Sequence, residues 1–177
     1  MKKAFSLIEL IISIVLIALM FGLYIAKGHV APNFSEKQIE LKTLKIDLIK
    51  AFPFEKSLRL VCTNKDMECF VLVDGIIKKD NQIKFFFEEI PVVYHYNSNF
   101  EVKYFPQIEF EENEVEEVFF DFTINEDYKI NDMILFYKNK YYIYNAIDSS
   151  AIVVKTQDEI NTIFEERLEE IKDAFSI

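Results

Sequence analysis

The pattern of apolar and polar positions changes character along the chain. Residues 10–26 carry no charge and form one apolar run. Counted from Phe5, this segment reaches the roughly 20 residues a helix needs to cross a bilayer core. Gly22, Gly28 and Pro32 punctuate its exit, so a bend or frayed turn is expected over 28–33. Ser35 with Gln38 then reads as a capping box that restarts a helix, and Pro53 stops it after Phe52. Leu41, Leu44, Leu48 and Phe52 fall on one helical face. Ile39 and Ile46 lie nearly opposite, either as a second protein contact or as isolated surface residues.

Beyond Pro53 the period shortens. Segments 58–64, 68–74, 82–87, 91–96, 100–105, 115–123, 132–138 and 140–145 are short, aromatic and β-branched, which predicts strands. Polar turns separate them at 79–81, 97–99, 125–127 and Asn139. Eighteen Phe and nine Tyr supply bulk for a hairpin-built antiparallel sheet. At the end, Thr156 with Glu159 forms a second capping box opening a helix to about Ala174. Ile160, Ile163, Phe164, Leu168, Ile171 and Phe175 make its apolar stripe. That stripe is expected to pack on the domain's own sheet; the alternative is a partner subunit. The predicted class is α+β: a long N-terminal helix, transmembrane in its first half, packed on an antiparallel sheet, with a C-terminal amphipathic helix.

One charge, Glu9, interrupts the first run. A carboxylate facing lipid costs about 2–3 kcal/mol, so it needs a partner or a function. A signal peptide fits poorly, because the core is long and His29-Val30-Ala31 is a weak cleavage site. A plain anchor explains the length and leaves Glu9 unexplained. The residues Lys2-Lys3-Ala4-Phe5-Ser6-Leu7-Ile8-Glu9-Leu10 resemble the class III leader of type IV pilins and pseudopilins. The resemblance implies cleavage by a prepilin peptidase between Ala4 and Phe5, with methylation of the new terminus. It also implies that Glu9 neutralises the Phe5 ammonium of a neighbouring subunit, since a buried charge is tolerated only when paired. The family usually has Gly where this chain has Ala4.

Charge refines the picture. The whole chain has a net charge of −10, and beyond residue 27 there are 17 basic and 29 acidic residues. Such a surface repels phosphate, so direct nucleic-acid binding is not expected. Lys2 and Lys3 place the amino end in the cytoplasm by the positive-inside rule, which would put the domain in the periplasm. In that oxidising space Cys62 and Cys69, at the facing ends of two predicted strands, either form a structural disulfide or remain buried thiols.

Candidate chemistry is sparse. The domain's only glycine is Gly75, which leaves no phosphate-binding loop, and there is no H-E-x-x-H. His95 lies in a predicted strand and His29 beside the apolar run, so a nucleophilic triad has little to build on. The acids Glu109, Glu111, Glu112, Glu114, Glu116, Glu117 and Asp121 lack the turn chemistry of a calcium loop, and a solvated loop is expected. No cofactor, metal or catalytic residue is expected.

The expected organisation is a leader (1–4), a transmembrane helix (5–27), a helical spine (28–53) and a periplasmic β-rich domain with a C-terminal helix (54–177). The expected location is the inner membrane, single-pass. The resemblance implies a filament subunit of a type II secretion, type IV pilus or DNA-uptake machine, not an enzyme, assembled through its N-terminal helix. Its partners would be the inner membrane, the prepilin peptidase, other pilin-like subunits and, indirectly, an assembly platform and ATPase. A composition poor in Gly, Ser and Thr suggests a minor subunit. The competing class is a membrane-anchored periplasmic binding or enzymatic domain.

Overall fold

The computed structural model describes residues 8, 11–17, 39–109 and 115–175. The chain divides into two compact units, Met1–Gln38 and Ile39–Ile177. In the first unit Ile8 and residues 11–17 are helical. Their large apolar side chains, from Ile8 to Ile17, are each at least half exposed.

The second unit is built of small antiparallel sheets. After a 3₁₀ turn, Leu41–Thr43, helix α1 runs over Leu44–Ala51. Strands β1 (Ser57–Thr63), β2 (Cys69–Val73), β3 (Ile76–Ile83) and β7 (Val118–Asn125) form one sheet in the order β3-β2-β1-β7. Strands β4 (Val92–His95), β8 (Met133–Tyr137), β9 (Lys140–Tyr144) and β10 (Ile152–Val154) form another in the order β10-β9-β8-β4. A short pair, β5 (Ile108–Glu109) with β6 (Val115–Glu116), stands apart. Helix α2, Gln157–Phe175, closes the unit.

Alternation assigns the faces. Leu58, Leu60 and Cys62 of β1, Phe120, Phe122 and Ile124 of β7, and Met133, Leu135 and Tyr137 of β8 join Leu44, Leu48 and Phe52 of α1 in one buried cluster. The opposite face of the first sheet has its own cluster of Val61, Leu72 and Val118, packed against Phe105 and Ile108. The opposite face of the second sheet meets α2 through Ile134, Ile143 and Ile160. Helix α2 opens with the Thr156–Glu159 capping box: the Glu159 amide donates to Thr156 Oγ1, and Glu159 Oε2 accepts from the Lys155 amide.

Several expectations are corrected. Among the described residues there is no long N-terminal helix: Glu40 is extended at φ −95° and ψ 141°, which interrupts any helical ladder immediately before Leu41. The end of α1 is equally sharp. Phe52 is extended at φ −129° and ψ 96°, as sterics demand of the residue before Pro53. Among the described residues no helix is long and apolar enough to cross a membrane. The transmembrane helix and the single-pass inner-membrane location, with periplasmic domain, fall with it. The Ser35–Gln38 cap lies outside the described residues.

The turns also differ from those the sequence predicts. Residues 79–81, read as a turn, lie inside β3, and the true β2–β3 turn is Asp74-Gly75. Both residues have positive φ (53° and 82°), the conformation of a type I′ hairpin turn, for which Asp-Gly is a preferred pair. The predicted strand 100–105 reduces to a single bridge, Tyr94 to Val102.

Candidate functional site

Ala4, Phe5 and Glu9, the residues assigned to processing and assembly, lie outside the described residues. Cys62 and Cys69 are joined by a disulfide with Cα atoms 4.0 Å apart. They sit directly opposite each other on β1 and β2. The next pair out is bridged by the Thr63 amide donating to the Glu68 carbonyl, so the cysteines occupy a non-hydrogen-bonded pair, where side chains approach most closely. The turn they clamp is a poor one. Asp66 and Met67 both hold positive φ, 53° and 52°, without a glycine to relieve it.

The acidic run is dispersed. Asp121 takes a two-pronged hydrogen bond from Arg59, with Nη2 to Oδ2 at 2.5 Å, and accepts from the Thr123 hydroxyl. Glu117 accepts from Asn64 Nδ2, and Glu116 lies 3.6 Å from Lys65 Nζ. Glu111, Glu112 and Glu114 fall outside the described residues. Among the described residues no group of three His, Cys, Asp or Glu side chains could hold a metal ion.

The most elaborate polar arrangement seats α1 on the body of the unit. Tyr144, fully buried, donates its hydroxyl to the Leu41 carbonyl at 2.7 Å. Burial drives its pKa well above the usual tyrosine value, so it stays a neutral donor. The Ala151 amide donates to the Lys42 carbonyl. Lys45, itself buried, reaches the carbonyls of Ala146 and Asp148 with its ammonium at 3.2 and 3.1 Å. Burial lowers its pKa and nearby Asp148 opposes that shift. Together these bonds tie the carbonyls of Leu41 and Lys42, just before α1, and the side chain of Lys45, in its first turn, to β9 and the segment that follows it. None was legible in the sequence, because the partners lie about a hundred residues apart in the chain: Lys45 and Ala146 are separated by 101 positions.

A groove of about 570 Å³ lies between the edge of β4 and the start of β7. Pro91, Val93, Val102, Phe105, Val118 and Phe119 line it, and Tyr104 stands at its lip, 86% exposed. Its polar groups are Asn64, Lys103, Gln107 and Glu117. The groove could hold an apolar side chain; it holds no hydroxyl–imidazole pair and no carboxylate pair. His95 stands exposed at the end of β4, opposite Met133. The chain matches no protein-family model, no curated protein and no solved structure.

Proposed function

We propose that this chain is a pilin-like subunit, cut by a prepilin peptidase between Ala4 and Phe5 and assembled with other pilin-like subunits into a secretion, piliation or DNA-uptake filament, with no catalysis of its own. The observation that carries the reading is the run Lys2 to Leu10, with a single acid at Glu9 in an otherwise apolar segment. Two features support it. Ile8, Ile11, Ile12, Ile14, Val15, Leu16 and Ile17 are exposed on every side of a helical stretch, and an all-round apolar helix requires cover from outside itself, which neighbouring subunits of a filament would supply. The folded unit puts its polar effort into seating a helix rather than into a reactive cluster.

Mass spectrometry of the chain isolated from its own cells tests this directly. The mature form begins at Phe5 with a methylated amino group, and an intact Met1 in cells that process other prepilins overturns the proposal. In the same cells Glu9→Leu leaves cleavage unchanged and reduces incorporation into filaments several hundred-fold, since an unpaired buried ammonium costs about 3–5 kcal/mol. Undiminished incorporation of that variant refutes the assigned role of Glu9.

A further inference from the structure

Helix α2 is buried against the body of the unit along its first half. Ile160 is fully buried between Ile134 and Ile143, and Phe164 meets the Tyr96 ring edge-on at 4.8 Å. Arg167 adds an attachment, donating to Tyr96 Oη at 2.6 Å and to Asp148 Oδ2 at 2.7 Å. Past that point residues 168–174 are all exposed, yet the apolar stripe continues in register: Leu168 is 56% exposed and Ile171 55%. Phe164, Leu168 and Ile171 follow the i, i+4, i+7 spacing of a helix that presents anchors to a groove. The exposed stretch from 168 to 174 is about 10 Å long, two turns of helix.

The charge around these anchors selects among occupants. Residues 165–173 carry five carboxylates against Arg167 and Lys172, and Arg167 is already paired with Asp148. A second copy of this chain would bring a net charge of −10 against that rim. An anionic lipid surface is disfavoured for the same reason, because interfacial helices carry Lys and Arg beside their apolar face. Complementarity leaves a groove with an apolar floor and basic walls. We propose that the second half of α2 is a docking helix, inserting Leu168 and Ile171 into an apolar groove rimmed by Lys and Arg on a different protein. The proposal rests on the helix and is independent of the leader.

The test places a photoreactive phenylalanine analogue at position 171 of the full chain, expressed in its own cells, with the same analogue at exposed Ile147 as the control site. The expected result is a product with a different protein, absent from the control site, whose cross-linked peptide lies beside Lys or Arg. Its yield falls about tenfold or more with Leu168→Ser, and also with Glu165→Gln plus Glu169→Gln, while the thermal melt of each variant is unchanged. A product between two copies, a lipid adduct, no product specific to position 171, or a protein product insensitive to these variants overturns the proposal. A melt lowered by Leu168→Ser overturns it as well, since that residue would then belong to the unit's own packing. Cleavage at Phe5 is read separately on the same protein, so failure of the filament reading and failure of this one remain distinguishable.

Discussion

The shortness of α1 makes its attachment a sharp quantity to test. Leu48 is fully buried, in the same cluster as residues of both four-stranded sheets. Leu48→Ala removes the transfer free energy of the lost carbons and leaves a void. That void is walled by β1, β7 and β8, whose ladders hold the backbone in place and limit collapse. The expected loss is about 3–4 kcal/mol, the upper part of the range for such changes, with helix propensity returning only a few tenths. For a unit of this size the urea slope is about 2 kcal/mol per M, so the midpoint falls by about 1.5–2 M with the slope unchanged. The exposed neighbour Lys50→Ala shifts it by less than about 0.5 kcal/mol. A Leu48→Ala midpoint within 0.5 M of wild type, on that same slope of about 2 kcal/mol per M, would refute the claim that α1 is part of the core rather than a lead-in to it.

Two further expectations concern the turns. Replacing Cys62 and Cys69 by Ala removes a short cross-link worth about 2–3 kcal/mol, a fall of about 5–10 °C in thermal midpoint. Met67→Gly in that background restores about 1 kcal/mol by relieving a positive φ; no restoration would show that the turn is not strained, and alkylation of both cysteines without reductant would show no bond. Asp74 accepts backbone hydrogen bonds from Lys56, Ser57 and Glu55, and the first of these is the largest cause of its lowered pKa. Because the folded pKa is depressed, its contribution is present above the ordinary aspartate value and is lost as pH falls through the folded one. The stability difference between wild type and Asp74→Ala therefore shrinks across acidic pH, and a difference independent of pH would refute the assignment.

What the sequence determined by itself is what short-range chemistry decides. The capping box at Thr156 and Glu159 needs only a hydroxyl and a carboxylate three residues apart, and α2 starts where that box lies. Pro53 ends α1 through its own ring. Cys62 and Cys69 are brought opposite each other by a hairpin that closes within seven residues. At the same range Asp74-Gly75 is a hairpin-turn signal, whereas the all-polar run from Lys78 to Gln82 carries no alternation that would mark it as strand.

Tertiary structure decided everything that depends on distant partners. The cap and stripe after residue 33 predicted one helix running to Phe52, yet Glu40 is extended and α1 has eight residues, because length depends on where the backbone ladder is broken. Nothing local says that the strands divide into two sheets, since β1 takes β7 as a neighbour across 62 residues in the Arg59–Asp121 pair. Lys45 reads in sequence as a solvent-facing lysine; the carbonyls of Ala146 and Asp148 make it a buried one. The stripe on α2 is uniform in sequence, and only the extent of the sheet beneath it separates Ile160, which is covered, from Leu168 and Ile171, which are not. Periodicity shows which side of a helix is apolar, and the reach of the neighbouring element decides how much of that side is buried.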